Sequence, residues 1–277
     1  MIRGSLLLSL GWLIFLYSPL HAQQIFPLLT GLISYQDLQK KSVNRQIVWT
    51  NSDGSRETLD FIEMAIPVSE EIKSKTRQFV QNVYGLDSIY LHPKMIVFHA
   101  MGDGDLKNSL EVSSFLHDRM PQSWGSLSKA GSLPNGAHFI IDRDGTVICL
   151  SPPDRYEKKN HRWFIKRHQD GNPVALGIEN VTPRENYVDL TPAQLEANAK
   201  LARWLVSFEA DKIKFVASHH QFNADSSYDR FLIFFRLQNF KKEFRTRGRR
   251  DIGNKNLAVI LQKINQRGLQ LQSFFGN

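Results

Sequence analysis

The chain has one cysteine in 277 residues, so it cannot make an internal disulfide. That residue, Cys149, lies in the apolar run Thr146-Val147-Ile148-Cys149-Leu150 and reads as a buried strand position. It sits far too deep in the chain to be a lipid-attachment cysteine. Internal repeats and low-complexity segments are absent, which excludes a solenoid or a tail-like polymer. Long hydrophobic runs are scarce. The best, Leu6 to Tyr17, covers twelve residues and is too short to span a bilayer comfortably. With Arg3 before it and Leu20-His21-Ala22 after it, this run gives Met1 to Ala22 the pattern of a secretory signal peptide. A cleaved signal, with export to the periplasm or beyond, is expected; the alternative is an uncleaved N-terminal anchor.

Acidic charge is also in deficit, with 27 Asp and Glu against 35 Lys and Arg, a net charge of +8. The excess is uneven. From Arg236 to Asn277 there are ten basic and two acidic residues, so this tail alone carries as much as the whole chain. Such a tail suits an anionic polymer or membrane surface; a solvated helix face has the same composition. Nucleic acid does not fit an exported chain. The hydrophobic fraction of 42% supports a true core, as one large domain or two small ones.

Residues 23–93 read as a layer before the chemistry-bearing part. Gln46 to Thr50 and Glu57 to Ile62 flank Asn51-Ser52-Asp53-Gly54-Ser55, which predicts a hairpin. Ser69-Glu70-Glu71 opens a helix that should stop at Gly85, with acid in its first turn and glycine past its end. Lys94 to Met101 is then a buried strand carrying His99 near its end. Gly136 to Ile148 reads as strand, Asp-Gly turn and strand, with His138 on the first arm. His138 is either a packed histidine or a neighbour of the site. His161, in the polar loop Asn160-His161-Arg162-Trp163, is either a ligand contact or ordinary surface.

The segment Asn172 to Asn180 is a short apolar strand that runs into Glu179. Apolar neighbours should partly shield that carboxylate, and shielding suits it to proton transfer near neutral pH. Thr191-Pro192-Ala193-Gln194 opens a helix with a capping box and proline at the first helical position. Leu195, Ala199, Ala202 and Val206 give it a buried face. The order of strands, hairpins and helices predicts an α/β domain: a central mixed β-sheet flanked by helices.

The stretch from Val216 to Arg230 organises these parts. A strand ending in His219 holds an imidazole on rigid backbone, and ten residues on, past a loop without proline, stands Asp229. Two nitrogens and one oxygen around a metal leave an open fourth position, the arrangement of catalytic zinc. His99, at the end of another strand, offers the second nitrogen. His220 competes with His219, and Asp225 with Asp229.

Taken together, IVFHA, AHFIIDRDGTV, NHRW, LGIE, LTPAQLEANAKLARWL and ASHHQF, in that order, resemble the zinc-dependent N-acetylmuramoyl-L-alanine amidase family, type 2. That family shares its fold with peptidoglycan recognition proteins. The resemblance covers Lys94 to Arg230, so it divides the chain into 1–22 signal, 23–93 extension, 94–230 amidase domain and 231–277 basic extension. It implies Zn2+ held by His99, His219 and Asp229, with Glu179 as catalytic base. It implies hydrolysis of the amide between N-acetylmuramic acid and L-alanine in peptidoglycan or a muropeptide. Substrate contacts are expected from His161, Asn172, His138 and Arg230. The chain departs from the family in three places. Ser227 stands two residues before Asp229 where the family has a lysine, Arg230-Phe231 replaces Pro-Gly, and Ser218 replaces a glycine. The alternatives are a non-catalytic peptidoglycan-binding module of the same fold, and a basic adaptor working through its tail.

Overall fold

The computed structural model describes residues 39–65, 68–101, 137–157, 161–165, 173–183, 190–209, 212–222 and 252–275. The signal segment 1–22 therefore lies outside the described residues, as do Asn172, Asp225, Ser227, Asp229 and Arg230. Most of the charge of the basic tail lies outside them too.

The first hairpin pairs β1 (Val43–Thr50) with β2 (Arg56–Glu63). Its turn closes as the Asp-Gly signal predicts. Gly54 takes φ 83°, which glycine tolerates without strain, and Ser55 N donates to Asp53 Oδ1 at 2.9 Å. Helix α1 (Glu70–Tyr84) ends at Gly85, which takes φ 69°. Next come β3 (Tyr90–Leu91), β4 (Met95–Met101), β5 (Phe139–Ile141), β6 (Val147–Cys149), β7 (Trp163–Phe164) and β8 (Ala175–Val181). Helix α2 (Pro192–Phe208) follows, then β9 (Phe215–Ser218) and a 3-10 turn (His219–Phe222). Helix α3 (Gly253–Asn265) and β10 (Gln272–Ser273) close the described chain.

Eight strands form one sheet in the order β1-β2-β6-β5-β8-β4-β9-β10, and β3 pairs with β7 separately. From β5 through β8, β4 and β9 to β10 every pair is parallel. β6 runs antiparallel to β5, and β1 antiparallel to β2. The sheet is therefore mixed, as expected. It also crosses the divisions at 94 and 230: β1 and β2 extend one edge, and β10 covers the other. Among the described residues no helix is long and apolar enough to cross a membrane.

The central strands alternate as a sheet covered on both faces should. Ile96 and Phe98 of β4, Leu176 and Ile178 of β8 and Val216 of β9 join the main core, with Ala199, Ala202 and Leu205 of α2. Met95, Val97, Ala175 and Ala217 point to the other face and build a second, smaller core. Helix α2 carries the capping box the sequence announces. Gln194 N donates to Thr191 Oγ1 at 3.1 Å, and Thr191 N to Gln194 Oε1 at 3.1 Å. Its buried set is wider than one stripe and includes Ala197, Leu201, Trp204 and Phe208. The reason is that α2 packs on α3 as well as on the sheet.

Candidate active site

His99 and Glu179 share one register pair on adjacent parallel strands, β4 and β8. A parallel pair in register puts both side chains on the same face, here the face of the smaller core. The backbone is fixed beneath them. Asn180 Nδ2 donates to the His99 carbonyl at 3.1 Å, and Asn198 Nδ2 of α2 donates to Asn180 Oδ1 at 2.6 Å. Gln194 Nε2 reaches the Val181 carbonyl at 2.8 Å and the Ile141 carbonyl at 3.3 Å. This buried amide ladder ties the ends of β4, β5 and β8 to one helix.

His219 opens the 3-10 turn directly after β9, the other neighbour of β4. The turn is stapled by Gln221, whose Oε1 accepts from Ser218 N at 3.0 Å. The two imidazoles meet. His99 Nδ1 and His219 Nδ1 are 3.2 Å apart, and both residues are buried. Glu179 Oε1 lies 3.9 Å from His99 Nδ1. Its side chain keeps 15% exposure, so water can reach the carboxylate.

The pair fits a common cation. Two tetrahedral zinc ligands with Zn–N near 2.05 Å have nitrogens about 3.3 Å apart. Imidazole nitrogens with a carboxylate are a donor set suited to Zn2+. Among the described residues no third His, Cys, Asp or Glu completes a metal-holding group. The expected third ligand, Asp229, lies outside them, and nothing is described of the side chain of His220.

Two residues expected as substrate contacts, His138 and His161, have protein partners in the structure. His138 precedes β5 instead of lying on it, and it is fully buried. Gly177 N donates to its Nδ1 at 3.1 Å, so Nδ1 carries no hydrogen. Its Nε2 then donates to the Phe164 carbonyl at 3.1 Å. The ring is fully buried and bridges β8 to β7, the arrangement of a packed histidine.

His161 is at the opposite pole. Trp163–Phe164 form β7, which pairs with β3 just before β4 begins. His161 and Trp163 consequently line a cleft of about 420 Å³ with His92, Lys94, Glu209 and Lys212. Lys94 immediately precedes β4, five residues before His99, roughly 16 Å of extended chain. His161 Nε2 meets Glu209 Oε1 at 2.5 Å, and Trp163 Nε1 donates to the same oxygen at 2.6 Å. The Glu209 side chain is 1% exposed, so this cluster anchors the C-terminal end of α2. The short β3–β7 pairing, invisible in the local pattern, puts His161 and Trp163 beside Glu209.

Sequence reasoning passed over Asn180, Asn198 and Gln221. Asn180 follows Glu179 directly, and a buried amide beside a strand-end carboxylate was the available signal. The capping signal of Gln194 does not reveal that its side chain also sutures two strands.

The sequence matches the family described as N-acetylmuramoyl-L-alanine amidase over residues 90–230, half of the chain. No curated protein matches it. Among solved structures, the amidase LysC from Clostridium intestinale is similar at 21% identity, with 53% of this chain and 88% of that chain covered and a TM-score of 0.31. PGRP-SA of a bumblebee is similar at 16% identity, with 48% and 75% covered and a TM-score of 0.32. A mutant endolysin from Bacillus subtilis is similar at 14% identity, with 63% and 92% covered and a TM-score of 0.33. The assignment rests on the match over 90–230, whose ends take in β3, β4 and β9 with the two facing histidines: the chain belongs to the N-acetylmuramoyl-L-alanine amidase family, type 2.

Proposed function

We propose that this protein is a zinc-dependent amidase that cuts the bond between N-acetylmuramic acid and L-alanine in peptidoglycan or its fragments. The observation that carries the reading is the convergence of His99 Nδ1, His219 Nδ1 and Glu179 at the ends of three neighbouring parallel strands. His99 and His219 would hold the ion with Asp229 as third ligand. Bound there, Zn2+ would supply Lewis acidity and lower the pKa of a bound water to about 7.

The chain's own part is proton transfer and positioning. Glu179 takes the proton from the attacking water and returns it to the amide nitrogen as the C–N bond breaks. That return matters because an amine leaves poorly unless it is protonated. The products are the lactyl carboxylate of the sugar and a peptide with a free L-alanine amine. Asn180 and the His99 backbone fix the separation between the base and the first ligand. Met1 to Ala22, read as a signal peptide, supports export to the compartment that holds peptidoglycan.

Ser227, in place of the family's lysine, favours a second reading in which the site binds peptidoglycan without cutting it. Digestion of purified peptidoglycan by the mature protein, with and without a chelator, separates the two. Chelator-sensitive release of peptides with free N-terminal L-alanine, seen by mass spectrometry, supports the amidase. Intact peptidoglycan that still pulls the protein down supports the binding module.

A further inference from the structure

The segment past residue 230 lies outside the family match, yet its described part closes directly on the turn that carries His219. β10 pairs with β9 in parallel, Gln272 opposite Phe215 and Ser273 opposite Val216. Gln272 N donates to the Lys214 carbonyl at 3.2 Å, and Phe274 N to the Val216 carbonyl at 2.9 Å. The strand that delivers the second histidine is thus an interior strand only because the C-terminal segment covers it.

Two aromatic rings follow β10. Phe274 stands edge-on to Phe215, with ring centroids 5.3 Å apart. Phe275 stands edge-on to Phe222, the last residue of the 3-10 turn, at 4.8 Å. Phe274 and Phe275 also meet each other at 4.9 Å. These rings pack on the small core of Met95, Val97, Ala175, Ala217 and Phe222. That core is the apolar floor under the site, because these strand residues share the face of His99 and Glu179 two and four positions before them. A separate contact comes from the start of α3, where Gln221 Nε2 donates to Asn254 Oδ1 at 3.4 Å. Gln221 is also the staple of the turn, through Ser218 N.

A four-residue 3-10 turn has strained hydrogen bonds and little stability of its own. A metal ligand must nevertheless be held within about 0.5 Å of its working position. We propose that Phe275, assisted by the Gln221–Asn254 contact, is a positioning residue for His219: the C-terminal segment is a clasp that sets the geometry of the metal pair. This inference rests on the zinc reading above. It makes 252–275 part of the working site instead of an appendage.

The test measures Co2+ and Zn2+ affinity by competition with a chromophoric chelator, with the visible spectrum of the Co2+ form as a second readout. The full chain is compared with Phe275→Ala, Phe275→Leu and Gln221→Ala. Outer-shell support typically changes metal affinity 10–100-fold, so Phe275→Ala should bind about 10-fold more weakly and show an altered Co2+ spectrum. Phe275→Leu, which refills the space, should recover most of the affinity. Trp49→Ala, at the far edge of the sheet, should lower Tm and leave affinity unchanged. If Phe275→Ala does not fold, Gln221→Ala carries the test, with several-fold weaker binding expected. Parental affinity and spectrum in Phe275→Ala or, if that variant does not fold, in Gln221→Ala overturn the clasp and leave the zinc reading standing. Absence of metal binding by the parent overturns both.

Discussion

His99 and Glu179 face each other across one register pair of β4 and β8, with Nδ1 and Oε1 3.9 Å apart. That spacing places the carboxylate beside the His99 imidazole but beyond hydrogen-bond reach of its Nδ1. The proposed mechanism asks for a base at that distance, close enough to reach a water at the proposed metal and free to take its proton.

Glu179→Gln keeps the shape and removes the base. The variant should retain metal at the parental stoichiometry and lose about 10²–10⁴-fold in kcat. Activity equal to the parent would assign the proton transfer to another group. Metal content by elemental analysis, run beside the muropeptide assay, keeps the two effects apart.

His99→Ala and His219→Ala each remove one of the two nitrogens that lie 3.2 Å apart. Either change should strip most of the zinc at neutral pH after dialysis. The fold should survive, because the three strands are held by backbone pairing and by the Asn180–Asn198 ladder. Full zinc content in both variants would remove this ligand pair.

The parts of the site legible in the sequence were those that local rules control. Two strands ending in histidine, a strand running into Glu179 and a helix opened by Thr191-Pro192 depend on period, burial and capping, all visible within ten residues. The Asp-Gly hairpins depend on one glycine at positive φ and were equally visible. What escaped depends on distant pairing. β10 is two residues long and joins the sheet through backbone atoms, so Gln272-Ser273 carries no alternation to read. β7 is as short, and its pairing with β3 goes with the placing of His161 against Glu209. The sequence leaves His138 open because a histidine next to a strand has the same pattern whether it binds ligand or bridges two backbones.

The His161–Glu209–Trp163 cluster should behave as structure. Glu209→Gln leaves the Trp163 and His161 donors with a weaker acceptor, and Glu209→Ala leaves them with none. Breaking a buried pair by removing one partner costs about 3–5 kcal/mol. Glu209→Ala should therefore lower Tm sharply, while KM for a muropeptide stays at the parental value at temperatures where the protein is folded. A raised KM in a variant of parental Tm would instead place His161 and its partners at the substrate groove. Thermal denaturation and initial-rate kinetics on the same preparation decide it.

Acid should loosen the joint between the N-terminal hairpin, α2 and α3. Arg203 of α2 is 3% exposed and donates to Glu57 of β2 through Nε at 2.6 Å and Nη2 at 2.7 Å. Its Nη1 donates to the Lys263 carbonyl of α3 at 3.0 Å, and Lys263 Nζ pairs with Glu196 at 2.8 Å. Burial pushes the Glu57 carboxyl up, but hydrogen bonds from Arg203 and Asn51 and the charge of Arg203 outweigh it, so its pKa lies below the ordinary 4.5. The Lys263 hydrogen bond lowers Glu196 in the same direction. A depressed pKa means that the folded protein binds fewer protons than the unfolded chain in this range. The contribution is therefore complete above about pH 4.5 and is lost as pH falls through the folded values. Tm of the parent should drop between about pH 5 and about pH 3, and Glu57→Gln should be less stable than the parent at neutral pH. The gap between parent and variant should narrow as acid neutralises the parental carboxylate. A gap constant across that window would mean that Glu57 does not gain from its charge, and the joint would then rest on the packing of α2 against α3 alone.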